Sequence, residues 1–394
     1  MKLLVVCSSL DLQTPFSATP AWWQLLKALY EVGVELVVTA YHGSVPATLW
    51  WRPYPNPSRL EGTLYSAWRG AGRRSGIAPL VSSPQLGSSE TLGERTVRAL
   101  AQAVIAPRWR RHLEKILHAE AGVDAVLFLS VPPNHLRGVP THIRRRFGLP
   151  ILFYDGDVPA SLPAHRGFAS GFNIYPGSNL AEFDAVISNS KGGAAALKEL
   201  GAPAVHTLYY GADPQVYEPL PIAQDIDVFF FGHTTEYRSD GIRDMLVVPS
   251  EAMPEAAFAV RGVGLGPVGR ATELPYLSFS DLRRHIARSR VNLVITRQPH
   301  ASVHASSTLR PFELAMMGAC MVCNPCQGIE EWFDPEKELL VVSSAEEAID
   351  RYRFLLRSEA RRRALGEAAR KRALAEHTTR HRAAQLTQII QEHR

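Results

Sequence analysis

The feature that most constrains this chain is an alternation: short runs of branched and aromatic residues, each followed by a stretch of helical period, occurring in two sets. In the first set, KLLVVCSS (2–9), VELVVTAYHG (34–43), DAVLFLS (124–130), PILFYDGD (150–157) and DAVISNS (184–190) read as strands. PAWWQLLKALYEVG (20–33) has helical periodicity and ends at a glycine, and KGGAAALKELG forms another helix after the fifth run. Runs that are apolar on both faces must be covered on both, which predicts parallel sheets with helices on either side. HTLYYGADPQVYEPLPIAQD (206–225) has three prolines and no period, and reads as a linker. The alternation then restarts with IDVFFFG (226–232), AAFAVRGVG (256–264), VNLVITR (291–297), ACMVCNP (319–325) and LLVVSS (339–344). Two doubly wound, Rossmann-like α/β domains are therefore expected: residues 1–212, a linker over 213–225, and residues 226–375. A C-terminal helix over 376–394 is expected to cross back to the first domain. A length of 394 residues suits two such cores, and the paired sheets predict a cleft between them.

Composition narrows the function. Hydrophobic residues at 46% and charged residues at 21% fit a globular protein, and no apolar run reaches the length of a membrane helix. The opening MKLLVVCSSLDLQ reads as a first buried strand and not as a signal peptide, since Asp11 follows a short apolar run. A cytoplasmic location is the expectation. The net charge of +5 suits an anionic small ligand and does not argue for nucleic acid. Cys320, Cys323 and Cys326 spell C-x2-C-x2-C, yet no fourth cysteine lies nearby. In a strand running into a turn, Cys320 and Cys323 fall on opposite faces, so reduced buried thiols are expected, with no metal site. Residues 43–95 are rich in Pro, Gly, Ser, Arg and Trp, and ATLWWRPYPNPSRL suits either an acceptor or interaction surface or a partly ordered insertion.

The stretch STLRPFELAMMGA (307–319) carries the chemistry. Proline is tolerated in the first helical turn, so a helix starts near Ser307 to Arg310 and stops at Gly318. Its N-terminus presents unpaired amides and a partial positive charge, suited to phosphate. Ser306, Ser307, Thr308 and Arg310 add donors. Glu313, one turn in, can accept two hydrogen bonds from a ribose 2′,3′-diol, or can simply complement the helix dipole.

From RPFELAMMGA through EEWFDPEKELLVVSSAEEAID to EHTTRHRAAQLTQII, the sequence resembles the C-terminal half of GT-B glycosyltransferases, closest to the spore-maturation (CgeB-like) branch of the large retaining group. VHTLYYGADPQVYEP is similar to that group's interdomain segment. The resemblance covers about residues 150–390 and implies a GT-B fold. It further implies that Glu313 holds the donor ribose and that Thr308 with neighbouring backbone holds the diphosphate. Two departures stand out. The group has two glutamates eight positions apart, and the partner position here is Ala305, which leaves His304 as the candidate contact. Where the group has Gly-Arg and then a Lys, this chain has Gly232-His233, with Arg238 as the nearest cation and expected clamp. Arg238 could equally pair with Asp240 or Asp244. Arg297, at a strand end, is a further candidate.

GLGPVG (264–269) matches a dinucleotide fingerprint but is followed by irregular sequence where a helix should open. The resemblance places Gly264 and Leu265 beside the nucleobase. Asp155 and Asp157 end a strand of the first domain and are candidates for acceptor ligand or general base, with turn capping the alternative for one of them. His42 is a weaker candidate base. The arginine-rich run 351–377 reads as a solvated helical face. The expected activity is transfer of a sugar from a nucleotide-diphosphate donor to an unidentified acceptor hydroxyl, with no cofactor, no metal and no nucleic-acid partner. The rivals are a nucleotide-sugar epimerase on the same fold and a non-catalytic nucleotide-binding scaffold.

Overall fold

The computed structural model describes residues 1–11, 20–58, 90, 92–165, 173–233, 237–263, 265–275 and 278–394. The chain divides into two units: residues 1–189, 193–208 and 383–394 in the first, and 190–192 with 209–382 in the second. The change of unit at Leu208–Tyr209 falls inside the proline-rich stretch 206–225. The last residues, Ala383–Arg394, are grouped with the first unit.

Among the described residues, the first unit holds a seven-stranded sheet: β1 Lys2–Ser9, β2 Glu35–His42, β3 Arg52–Tyr54, β4 Ala125–Leu129, β5 Ile151–Asp155, β6 Ala185–Ser188 and β7 Val205–Thr207, in the order β3-β2-β1-β4-β5-β6-β7. All its pairings are parallel. Five strands lie where the apolar runs put them. β3 and β7 had no such signal: β3 is a three-residue edge strand inside the proline-rich insertion, and β7 begins the stretch read as linker. Leu4, Val6, Phe128 and Phe153 pack against Trp109, Leu113 and Ile116 of the helix Ala106–Ala119 on one face of the sheet.

The second unit repeats the design. β8 Ile226–His233, β9 Phe258–Val263, β10 Thr272–Glu273, β11 Ser289–Val294, β12 Met321–Cys323 and β13 Leu340–Val341 form a parallel sheet ordered β10-β9-β8-β11-β12-β13. In β8, Val228 and Phe230 enter one core cluster while Phe229 and Phe231 enter another, so both faces are buried. Cys320 and Cys323 divide between the same two clusters, as strand alternation requires, and all four cysteines are free thiols. Ser344 caps the helix Ala345–Arg357: its hydroxyl accepts from the Glu347 amide at 3.2 Å, and the Glu347 carboxylate reaches back to accept from the Ser343 amide at 2.9 Å. In each sheet the unit's first strand has the next strand on one side and a later strand on the other, β2 and β4 around β1, β9 and β11 around β8, so the strand order runs outward both ways. That is the switch point at whose strand C-termini open α/β sheets bind ligands.

Candidate functional site

The helix that carries the phosphate argument runs from Leu309 to Met316, and Gly318 stops it in the left-handed region at φ 68°. Pro311 is its third residue, where a missing N–H costs nothing. Thr308 is the N-cap residue with extended backbone, and its own side chain makes no capping hydrogen bond. Its N-terminus follows β11 and the short helix Gln298–Ser302, on the switch-point side of the sheet.

The approach to this N-terminus is held by a small network inside the second unit. Ser190 bridges to Ser306, their hydroxyls 2.6 Å apart. The amides of Lys191 and Gly192 donate to the carbonyls of Ala305 and His304 at 3.1 and 2.9 Å. The buried Ser307 hydroxyl, expected to face a phosphate, accepts from the Tyr210 amide at 3.1 Å. Ala305, at the position where the resemblance calls for a glutamate, is buried and has φ 47°. His304 is half-exposed, with Nε2 3.4 Å from Glu331. Glu331 also takes Lys191 Nζ at 2.6 Å and the Tyr209 hydroxyl at 3.3 Å, and Lys191 above all holds its carboxyl below the usual range. A carboxylate is therefore present beside this loop, supplied from 26 residues further along. The sequence carried no signal that singled it out.

Glu313 is buried, with 7% of its surface exposed. The Tyr217 hydroxyl donates to Glu313 Oε1, and Arg310 Nε lies 3.6 Å from Oε2. Burial pushes the Glu313 carboxyl up, against the opposing pull of Arg310 and of the Tyr217 hydrogen bond. The Arg310 guanidinium was expected to face the diphosphate. In the structure it donates to the Phe231 carbonyl and lies over the Phe231 ring, 3.3 Å from the centroid. Burial lowers Arg310 to about 10, Glu313 opposes that, and the charge of Arg261 on β9 adds to it. Arg310 is thus part of the wall behind Glu313. Tyr217 and Arg261 are the residues that sequence reasoning missed here.

The other expected donors lie around the strand ends. Arg238 Nε donates to the Ile295 carbonyl at 2.7 Å, which pins it beside the end of β11 and away from the pairing with Asp240 or Asp244 weighed in the sequence. Arg297 is buried, with an amino group 3.4 Å from His300. Gly232 lies in β8 opposite Gly262, where a Cβ on Gly262 would fall 2.0 Å from the Gly232 carbonyl oxygen. The His233 side chain and Gly264 lie outside the described residues. Leu265 is partly buried against the core, and no helix opens after it, so the dinucleotide reading fails here too.

In the first unit, Asp155 ends β5 and is buried. Its Oδ2 accepts from Ser161 at 2.5 Å and Tyr175 at 2.6 Å, and its Oδ1 from the Asp157 amide at 2.9 Å. That is the turn-capping alternative, and burial pushes its carboxyl up against those bonds. Asp157 is more exposed than Asp155. His42 ends β2, its ring 4.8 Å from Tyr41, whose hydroxyl lies 2.8 Å from the buried His135.

The C-terminal arginines depart from the solvated-face expectation. Arg362 and Arg370, within 351–377, bond the carbonyls of Leu355 and Met316, so part of the basic run is structural. Among the described residues, no group of three His, Cys, Asp or Glu could hold a metal ion, and no helix is long and apolar enough to cross a membrane.

Residues 243–388 match the family described as glycosyl transferase-like. Among solved structures, sucrose-phosphate synthase from Thermosynechococcus elongatus is similar at TM-score 0.63 and 14% identity, over 99% of this chain and 98% of that one. HepE from Anabaena in complex with UDP-glucose is similar at TM-score 0.62 and 15% identity, over 100% of both chains. A structure described as trehalose-6-phosphate from E. coli bound with UDP-2-fluoro glucose is similar at TM-score 0.62 and 14% identity, over 99% of both. No curated protein matches the sequence. The chain has the GT-B fold, and the family match over residues 243–388 supports a transferase.

Proposed function

We propose that this transferase moves a sugar from a nucleoside diphosphate to an acceptor hydroxyl, with uridine diphosphate as the first candidate carrier. HepE bound to UDP-glucose and the E. coli structure bound to UDP-2-fluoro glucose favour that base. One observation supports the reading most directly: a helix N-terminus whose N-cap residue Thr308 makes no side-chain cap, at the switch-point end of the sheet, with the buried Glu313 one turn inside it and Arg310 beside Glu313.

The amides of residues 308–310 and the Thr308 hydroxyl would take the diphosphate, and the free acceptor capacity of Glu313 would take the ribose diol. As the bond from the anomeric carbon to the β-phosphate oxygen breaks, charge develops on that oxygen, and prearranged donors stabilise it without reorganising. Arg238, at the end of β11, is the side-chain cation proposed to meet that charge, in place of a metal ion. The acceptor oxygen forms the new bond and its proton passes to a base, for which Asp157, the more exposed of the two acids at the end of β5, is the candidate.

The test is a titration with UDP, GDP, TDP and ADP followed by thermal unfolding, with chelator present. At about 100-fold excess over Kd a bound nucleotide adds about 2.7 kcal/mol, which moves the melting temperature by several degrees. One nucleotide is expected to do so. If none does, the donor site is refuted.

A further inference from the structure

We infer that Tyr217 is a positioning residue for the donor ribose: its hydroxyl, bonded to Glu313 Oε1, sets the carboxylate so that its remaining lone pairs meet the sugar diol. The inference rests on the proposed donor site and deepens it. Tyr217 comes from a stretch without periodicity, 96 residues before Glu313, yet it is buried to 3% exposure in the same core as Phe312.

Its placement is built. Asp213 turns the chain: its carbonyl accepts from the amides of Val216 at 3.1 Å and Tyr217 at 2.9 Å, and its carboxylate takes the Gln215 amide at 2.9 Å. Arg283, on the helix Phe279–Arg288, donates to the Val216 carbonyl. A phenol held this way spends no rotamer entropy when the nucleotide arrives. It also selects one orientation for a carboxylate that Arg310 alone, at 3.6 Å from Oε2, would leave loosely held. The arrangement separates two tasks: Tyr217 and Arg310 occupy the inner side of Glu313, and the ribose takes the outer.

Among the described residues, the groups that bear on the Glu313 charge are Tyr217, Arg310 of its own helix, and Arg261 on β9 acting on Arg310. Burial favours the protonated acid and the Tyr217 hydrogen bond opposes it. Removing the phenol oxygen therefore raises the pH at which the carboxylate is lost, and with it the acid limb of nucleotide binding.

The experiment compares UDP with 2′-deoxy-UDP by calorimetry on the full chain, for the parent protein, Y217F and E313A, from about pH 5 to about pH 8.5. A hydrogen bond to a charged group is worth about tenfold in affinity, so the parent is expected to prefer UDP by about that factor. Y217F is expected to lose most of the preference, bind 2′-deoxy-UDP as the parent does, and show its acid-side loss of UDP affinity at higher pH. If E313A keeps the preference for UDP, the ribose assignment itself fails. If E313A loses it while Y217F keeps it with the parent pH profile, the role of Tyr217 is overturned. A Y217F that weakens both nucleotides equally, with no move of the acid limb, also overturns it. Should Y217F lose its melting transition, Y217H, which retains a donor, carries the comparison: preference kept supports the inference and preference lost overturns it.

Discussion

Replacing Gly366 by alanine tests how the proposed donor helix is anchored. Gly366 lies in the long helix Glu359–Glu376, buried against the end of the helix Leu309–Met316. A Cβ there would stand 2.1 Å from the Gly318 carbonyl oxygen and 2.8 Å from its carbon, about 1.3 Å short of ordinary contact. Both neighbours are backbone, so no side chain can rotate away. Gly318 itself is the left-handed stop of the donor helix, and Arg370 pins the same junction by donating to the Met316 carbonyl at 3.1 Å. The two helices must part. Overpacking of this kind costs about 1–3 kcal/mol, with the upper end apt where backbone opposes backbone. Alanine regains about 1 kcal/mol of helix propensity over glycine. The net expectation for G366A is a loss of about 1–2 kcal/mol, or about 2–6 °C in the melting temperature. Scanning calorimetry of G366A beside E367A, which alters only an exposed i,i+4 ion pair on the same helix, separates packing from surface effects. The same displacement should weaken nucleotide binding. A G366A protein that melts at or above the parent would show that propensity wins and that the two helices are not in tight contact.

Three further outcomes follow from the site and its surroundings. Glu120 is buried and takes Lys2, both contacts of Arg52 and the Tyr54 hydroxyl, each at 2.8 Å, which together overcome burial and hold its carboxyl down at about 2. Because the folded value is depressed, its contribution is complete above the ordinary carboxylate range and fades as pH falls toward 2. E120Q should cost about 3 kcal/mol in urea unfolding at neutral pH, and the difference should shrink steadily in acid. D155N should lower stability and spare nucleotide affinity, since Asp155 caps a turn; D157N should spare nucleotide affinity and lower turnover, measured as donor consumption with acceptor present. Burial pushes the thiols of Cys7, Cys320 and Cys326 up to about 12 and raises that of Cys323 well above its ordinary value, so iodoacetamide at about pH 8 should label none in the native protein and all four in urea.

The architecture was legible because burial on both faces writes itself into the sequence as unbroken apolar runs. β1, β2 and β8 could be placed nearly to the residue for that reason. β3, β7 and β10 are two or three residues long and carry no such run, and their pairing is set by neighbours distant in the chain. The unit boundary was legible as a region and not as a residue. Chain direction and proline content mark a connection, but which side of it packs with which core depends on contacts that no local pattern records.

The site was legible at the level of backbone and less so at the level of side chains, for a single physical reason. A helix N-terminus points along its own axis, so locating the helix in sequence locates its unpaired amides as well. Side chains have a choice. Arg310 can reach outward to an anion or inward to a carbonyl and an aromatic face, and the Phe231 ring and carbonyl, 79 residues earlier, decide it. The Ser307 hydroxyl can lie toward a ligand or toward the backbone, and the Tyr210 amide that it accepts from sets its place. Asp155 and Asp157 look alike in FYDGDVP, yet it is Asp155 that Tyr175, Ser161 and the chain's own turn engage. In each case the residue type was chosen for its chemistry, and its orientation was settled by a partner outside the motif. An uncommitted polar group in a pocket is a liability in the free protein. Side chains proposed to meet the donor are thus better sought among those whose inner valence is already satisfied and whose outer valence is not. By that criterion Glu313, backed by Tyr217, qualifies more clearly than Arg310.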